Sequence, residues 1–158
     1  MKGRESTLAD SGARSRAATL EQLRKAFAAK GLPVTHQRLA VFEALRHAHD
    51  HPSAEDLHVR LKRRYPSLSL GTVYKTLQTF QELGLASLVN YPSVEARYDA
   101  ITHRHHHAIC ERCGRIEDLF DQDLDSLPPP KAKGFKFTSH SVHFRGLCES
   151  CQRQDRRS

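Results

Sequence analysis

Four cysteines in two pairs of the same spacing are the residues of this sequence best suited to chemistry. They form Cys110-x-x-Cys113 and Cys148-x-x-Cys151, and the chain contains no other cysteine. Two such pairs predict a structural zinc site, because a closed tetrahedral site takes four ligands. Gly114 follows the first pair, as a tight metal-binding turn requires. Two disulfides are the weaker interpretation, since disulfide scaffolds belong to small secreted domains and the sequence shows no signal peptide.

Histidines beside the first cysteine pair exceed what that zinc site needs. His103, His105, His106 and His107 all precede Cys110. Because four thiolates leave zinc no open position, these imidazoles predict a second kind of metal site. His105 and His107 alternate along an expected strand and therefore point to one face, as two ligands of one ion must, whereas His106 points to the other.

Charge and size restrict the class of protein. The 158 residues carry 25 Lys+Arg against 18 Asp+Glu, a net charge of +7, which predicts attraction to polyanions such as DNA. No apolar run approaches the length of a membrane span, so we expect a cytoplasmic protein without a membrane partner. Two domains of this size would each have a marginal core, so zinc and oligomerisation are expected to add stability.

Four amphipathic helices and a hairpin are expected after a disordered arm at residues 1–17. The expected helix starts are Thr19, Thr35, Ser53 and Ser69. Strand-like runs at 85–90 and 94–99 follow, joined through Pro92-Ser93. Helices followed by a hairpin predict a winged helix-turn-helix. A plain helical bundle with a satellite hairpin has the same periodicity, so the choice rests partly on the charge and on the basic run Lys62-Arg63-Arg64.

The fourth helix is the expected DNA-contacting element. Its side away from the apolar stripe presents Thr72, Lys75, Thr76 and Thr79, with Tyr74 at the border. Small and hydrogen-bonding side chains near a helix N-terminus suit insertion into a DNA groove. We therefore expect Thr72, Tyr74 and Lys75 to contact DNA.

The pattern changes near residue 100, where we place a domain boundary between 18–99 and 100–158. A hairpin of 105–109 and 115–118 is expected around the first cysteine pair, and an alternating strand over 135–144 is expected to lead to the second. These elements predict a winged-helix domain followed by a small second domain that holds the four-cysteine zinc site.

With these elements placed, the sequence resembles the ferric uptake regulator family from about Thr19 to Cys151. The resemblance rests on Leu70-Gly71-Thr72-Val73-Tyr74-Lys75-Thr76-Leu77, Arg97-Tyr98-Asp99, His105-His106-His107-Ala108-Ile109-Cys110-Glu111-Arg112-Cys113-Gly114 and Gly146-Leu147-Cys148. It implies a homodimeric, metal-responsive transcription factor that binds operator DNA and is not an enzyme. It also implies that the second domain is an α/β dimerisation domain, which makes the predicted fold class α+β.

The resemblance implies a regulatory metal site with five ligands: His51, Asp99, His105, His107 and Asp118. Three imidazoles and two carboxylates suit divalent iron or manganese, whereas zinc sensors generally recruit a thiolate. Aspartate at both Asp99 and Asp118 resembles the peroxide-sensing branch. The alternative is an iron-responsive regulator and, less favoured, a zinc- or manganese-responsive one.

Two further assignments follow from the resemblance. The ligands oxidised by peroxide in that branch correspond to His51 and His105. A weak third metal site is implied at His106, Asp125 and His140, although Arg104 stands where a fourth ligand would be.

The predicted mechanism is a clamp in which metal joins His51 to the C-terminal ligands and selects a closed dimer that fits successive major grooves. Two other classes remain open at this point. A metalloenzyme would use the histidine and carboxylate site to activate water or oxygen. A zinc-ribbon interaction module would have no use for the additional histidines.

Overall fold

A computed structural model describes residues 20–89, 95–101 and 103–155. The chain divides into two compact units, one up to residue 102 and one from His103 onward. The predicted arm at 1–17, the capping residue Thr19 and the turn at Pro92-Ser93 lie outside the described residues. The elements of the first unit are helix α1 over 20–28, α2 (His36–Arg46), α3 (Ala54–Lys62), α4 (Leu70–Glu82), strand β1 (Ser87–Val89) and strand β2 (Arg97–Asp99).

Local capping explains where three of these helices begin. Thr35 precedes α2 and its side chain accepts from the backbone N–H of Arg38. Ser53 and Asp56 form a complete capping box at the start of α3. Ser69 caps α4 by accepting from the backbone N–H of Thr72. Each cap satisfies a backbone N–H that has no partner inside the helix, so the helix starts can be read from the sequence.

The apolar stripes of the four helices form one core. Phe80 lies at its centre, with its ring 6.1 Å from that of Phe27 and 5.1 Å from that of Phe42, both edge-on. The core cluster consists of Leu23, Phe27, Val41, Phe42, Leu45, Ala54, Leu57, Leu68, Val73, Leu77, Phe80, Leu85, Ala86 and Tyr98. Thr76 belongs to the buried side of α4, with 3% exposure. The expectation that Thr76 faces outward was wrong, because it lies between Val73 and Phe80 on the packed face.

Strands β1 and β2 form an antiparallel hairpin, with Leu88 opposite Tyr98. The backbone N–H of Tyr98 also donates to the carbonyl of Pro52, at 3.0 Å. This bond ties β2 to the segment that leads into α3. The helices with this hairpin make a winged helix-turn-helix.

The second unit is a three-stranded sheet with two short helices. Its elements are β3 (His106–Cys110), β4 (Ile116–Leu119), α5 (Gln122–Asp125), β5 (His143–Gly146) and α6 (Glu149–Asp155). The strand order is β4-β3-β5, with β4 antiparallel and β5 parallel to β3. The mixed helix and sheet composition is the predicted α+β class.

The strand predicted over 135–144 is shorter in the structure and covers only His143–Gly146. The cause is the length of its partner, since β3 begins at His106 and pairs from His107 onward. Phe135 and Phe137 stack on each other at 6.1 Å in an irregular segment. Within the described ranges, no helix is long and apolar enough to cross a bilayer.

Candidate metal centres and nucleic-acid interface

The four cysteines meet in the second unit. One ligand atom of each lies within 4.8 Å of the others, and no disulfide joins them. The Sγ atoms of Cys113 and Cys148, from different pairs, are 3.6 Å apart. Sulfurs bound to zinc at about 2.3 Å in a tetrahedron lie about 3.8 Å from one another. The cluster therefore has the ligand type and spacing of a closed zinc site.

Turn geometry brings the two cysteine pairs together. Gly114 has a φ of 72°, which a side chain would oppose, and its N–H donates to the carbonyl of Cys110 at 2.9 Å. The N–H of Cys148 donates to the Sγ of Cys110 at 3.4 Å. The first pair lies on the β3–β4 turn and the second at the junction of β5 and α6. The parallel pairing of β3 and β5 places these two junctions side by side.

Acidity differs among the thiols for identifiable reasons. Backbone N–H groups, that of Cys148 above all, lower the pKa of Cys110 to about 6. The hydroxyl of Ser150 lowers the pKa of Cys148. Burial raises the pKa of Cys151 to about 12. Zinc ligands bind as thiolates, so a divalent cation among the sulfurs offsets the free-energy cost of deprotonating the buried Cys151 thiol.

A second group of donors lies on the hairpin of β3 and β4. The Nε2 atoms of His105 and His107 are 3.0 Å apart, and they lie 3.6 and 3.7 Å from Oδ1 of Asp118. Two ligands held about 2.1 Å from an ion at right angles are about 3.0 Å apart. His107 is directly opposite Asp118 in the sheet register. Two imidazoles and one carboxylate thus converge in a way that suits one divalent ion.

His105 is oriented by its neighbours. Its Nδ1 lies 2.9 Å from the carbonyl oxygen of His103, so that Nδ1 carries the proton and Nε2 keeps its lone pair for a metal. The ring of His103 stacks on Phe120 at 5.4 Å, and Phe120 lies 5.8 Å from His105. The sequence indicated no role for His103. The only hint in the sequence is that His103 stands two residues before His105, close enough for its carbonyl to contact that ring.

The other two expected ligands, His51 and Asp99, lie in the first unit. The Nε2 of His51 is 3.9 Å from Oδ2 of Asp99, and both side chains are buried. Oδ1 of Asp99 accepts from the backbone N–H of Ile101 at 2.7 Å, which orients the carboxylate. His51 and Asp99 form a pair of donors next to the start of α3.

The residues of the expected weak third site meet only in part. The Nε2 of His106 is 3.3 Å from Oδ1 of Asp125, and neither atom has a hydrogen bond within the described part of the chain. The Nε2 of His140 instead lies 2.8 Å from the carbonyl of Leu124, although its ring stacks on that of His106 at 6.0 Å. Arg104 donates to the Asp125 carbonyl oxygen at 2.7 Å. The arrangement brings together two donors and not three.

The three expected DNA contacts occupy the first two turns of α4. Tyr74 is 42% exposed, and its hydroxyl donates to Oε1 of Glu55 at 2.7 Å, which raises its pKa to about 12. Lys75 is exposed, and the hydroxyl of Thr72 lies 2.8 Å from that of Ser69. Glu55 was missed from the sequence because its contact comes from a different helix.

Two side chains of the basic run at the end of α3 already have contacts within the first unit. The Nζ of Lys62 donates to the carbonyl of Leu68 at 3.0 Å, and Arg64 lies over the ring of Tyr65 at 5.8 Å. The amine of Lys62 therefore stabilises the α3–α4 connection. Lys75 is an exposed positive charge on α4, next to the expected contacts Thr72 and Tyr74.

Comparisons with known proteins agree with this architecture. The ferric uptake regulator family matches residues 29–145. The chain is 36% identical over 127 residues to the peroxide operon regulator of Bacillus subtilis, covering 79% of this chain and 88% of that protein. The solved structure of the Campylobacter jejuni peroxide stress regulator is 32% identical, with a TM-score of 0.58 over 85% of this chain and 98% of that one.

The fold alone is also shared with the ferric uptake regulator of Helicobacter pylori. That structure is 23% identical and has a TM-score of 0.73, covering 87% of this chain and 93% of that one. The match over residues 29–145 spans both units and includes the first cysteine pair. The chain therefore belongs to the ferric uptake regulator family.

Proposed function

We propose that this protein is a homodimeric, metal-dependent and peroxide-responsive repressor that binds operator DNA in the cytoplasm and is not an enzyme. Zinc is the structural ion, held by Cys110, Cys113, Cys148 and Cys151. Ferrous iron or manganese is the regulatory ion, held by His51, Asp99, His105, His107 and Asp118.

The composition of the regulatory donor set carries this proposal. His105, His107 and Asp118 converge within 3.7 Å on the β3–β4 hairpin, and His51 with Asp99 supplies a second pair. All five are nitrogen or oxygen donors, which suits iron or manganese, and every thiol of the chain already belongs to the other cluster. The two sites therefore differ in donor type, so zinc and the regulatory ion are each expected to prefer a different site.

The peroxide branch is supported by two side chains and by the relatives. Asp99 and Asp118 stand at both carboxylate positions of the site. The peroxide operon regulator of Bacillus subtilis and the peroxide stress regulator of Campylobacter jejuni share 36% and 32% of their aligned residues with this chain. Iron in such a site supplies one-electron reduction of peroxide next to the ligand rings.

Regulation follows from the placement of the ligands in two units. A metal that binds all five ligands favours the one arrangement of the units in which they meet. The free-energy preference needed to move a population from 1:99 to 99:1 is about 5.5 kcal/mol, which additional coordinate bonds can supply. The closed dimer then presents the two α4 helices to successive major grooves.

Electrophoretic mobility shift on operator DNA tests the function. We expect tight binding with manganese or ferrous iron and weak binding after removal of the regulatory metal with the zinc retained. Selection from random duplex DNA with manganese present supplies the operator. A metalloenzyme would turn over substrate without DNA, and a zinc-ribbon module would bind its partner regardless of manganese.

Peptide mass spectrometry tests the peroxide response. With iron bound, low peroxide is expected to add one oxygen, about 16 mass units, to a peptide that contains His51 or His105 and to release the DNA. The manganese form is the control and should remain unmodified. If the iron form stays unmodified and on DNA, the iron-responsive alternative replaces the peroxide assignment.

A further inference from the structure

We infer that Arg97 is a positioning residue that holds His51 in the conformation needed for the regulatory metal. This inference rests on the proposed function, because it concerns how the DNA-binding unit presents its two ligands. Arg97 itself has no place in the ligand set.

The backbone of His51 is in an unfavourable conformation. Its φ is 47°, and it is the one residue other than glycine with positive φ among the described residues. Left-handed backbone is disfavoured for side chains with a Cβ, and the residue before a proline is further restricted toward extended conformations. His51 precedes Pro52, so both restrictions apply. Contacts from the surrounding structure must hold this residue in place.

Arg97 supplies such a contact from β2. Its Nη1 lies 3.4 Å from the carbonyl oxygen of His51 and 3.1 Å from Oδ2 of Asp56. The same Asp56 oxygen accepts from the backbone N–H of Ser53 at 3.0 Å, within the capping box of α3. The guanidinium group therefore joins the carbonyl of a ligand residue to the fixed start of a helix. Its side chain is 24% exposed.

The same strand carries the second ligand. Arg97 and Asp99 are two residues apart in β2 and so lie on one face of it. Between them, the backbone N–H of Tyr98 donates to the carbonyl oxygen of Pro52. These contacts fix β2 against the His51 segment, where Nε2 of His51 is 3.9 Å from Oδ2 of Asp99. Without the guanidinium, the His51 backbone can relax to negative φ, and metal binding must then restore the geometry.

Manganese binding without DNA tests the inference directly. Arg97→Ala is expected to lower manganese affinity about tenfold or more, the usual effect of removing a group that orients a metal ligand. Arg97→Lys keeps one donor and should lie between the alanine variant and the wild type. Free manganese measured by electron paramagnetic resonance gives the affinity. Arg24→Ala, which removes the same charge from the exposed side of α1, is the control and should bind manganese normally.

Mobility shift at saturating manganese separates positioning from DNA contact. A positioning role predicts that Arg97→Ala binds operator as tightly as the Arg24→Ala control once manganese saturates the site. Unchanged manganese affinity overturns the inference, and so does a DNA-binding defect that saturating manganese does not restore. If Arg97→Ala does not fold, as judged by circular dichroism and zinc content, Arg97→Lys and Arg97→Gln decide the question by the same two measurements. If the wild type itself shows no manganese-dependent DNA binding, the proposed function fails instead.

Discussion

The two units of this protein bury apolar surface to very different extents. The first has a continuous core built around Phe27, Phe42 and Phe80. In the second, the buried apolar residues among those described are Ile109, Ile116 and two of the zinc-site cysteines, Cys110 and Cys151. A core of that size rarely supports a domain on its own, so a structural metal or a partner must supply the rest.

The second unit also exposes several large apolar side chains. Phe120, Phe135, Phe137, Phe144, Leu127 and Leu147 are between 36% and 74% exposed. The rings of Phe135 and Phe137 stack on each other, and an exposed apolar patch of this kind marks a contact with another molecule. We expect a second copy of the chain to cover much of it, in agreement with the proposed homodimer. The first unit is therefore stabilised by its own packing, whereas the core of the second is too small to do without a metal ion or a partner.

Removal of the zinc site should therefore have the largest effect. Cys113→Ser is expected to lose zinc and dimer together, since structural zinc contributes about 10–16 kcal/mol in small metal-dependent domains. The helical signal of the first unit should persist. Zinc analysis with analytical ultracentrifugation measures both losses. Ser139→Ala, at an exposed position of the same unit, is the control. A zinc-free Cys113→Ser protein that remains fully dimeric would contradict the expectation.

A core truncation in the first unit should have a smaller and separate effect. Phe80→Ala leaves a cavity between Phe27 and Phe42 and is expected to cost about 3–5 kcal/mol of unfolding free energy. Urea unfolding followed by circular dichroism measures the change. Zinc content and dimerisation should stay normal. A parallel loss of zinc would show that the two units are not stabilised independently.

Truncation of an exposed aromatic in the second unit should weaken association. Phe135 is 74% exposed, so Phe135→Ala should change the stability of a monomer little. If a second copy buries the ring, dimerisation weakens by about 1.5–3 kcal/mol, or roughly tenfold to a hundredfold. Sedimentation equilibrium measures the dimer affinity. Val59→Ala, at a position 73% exposed in the first unit, is the control and should leave it unchanged.

The smallest expected effect concerns DNA. Lys75→Ala should remove one phosphate contact, so the slope of log affinity against log salt concentration should fall by about one. Binding to all sequences should weaken similarly. Lys62→Ala is the matched control, because the Lys62 amine donates to the Leu68 carbonyl and its loss should lower stability more than the salt slope. An unchanged slope with intact affinity would remove Lys75 from the interface.

Features that depend on neighbouring residues in the chain could be read from the sequence. Thr35, Ser53 and Ser69 begin helices because each side chain bonds a backbone N–H three residues ahead. The side chains of a strand point alternately to its two faces, so it could also be read from the sequence that His105 and His107 share one face and His106 lies on the other. The spacing of the cysteine pairs was enough to indicate a zinc site.

Features that depend on distant residues needed the tertiary structure. The length of β5 is set by where β3 begins, and the burial of Thr76 by the helices packed on α4. The contacts of Glu55 with Tyr74 and of Arg97 with His51 join residues 19 and 46 positions apart.

The sequence by itself thus determined the elements, the four thiolates and, through the family motifs, the expected regulatory ligands. The tertiary structure decided how those ligands are oriented and how little apolar core the second unit has. The physical reason is that caps, turns and strand alternation act over a few residues, whereas burial and ligand orientation depend on which segments meet.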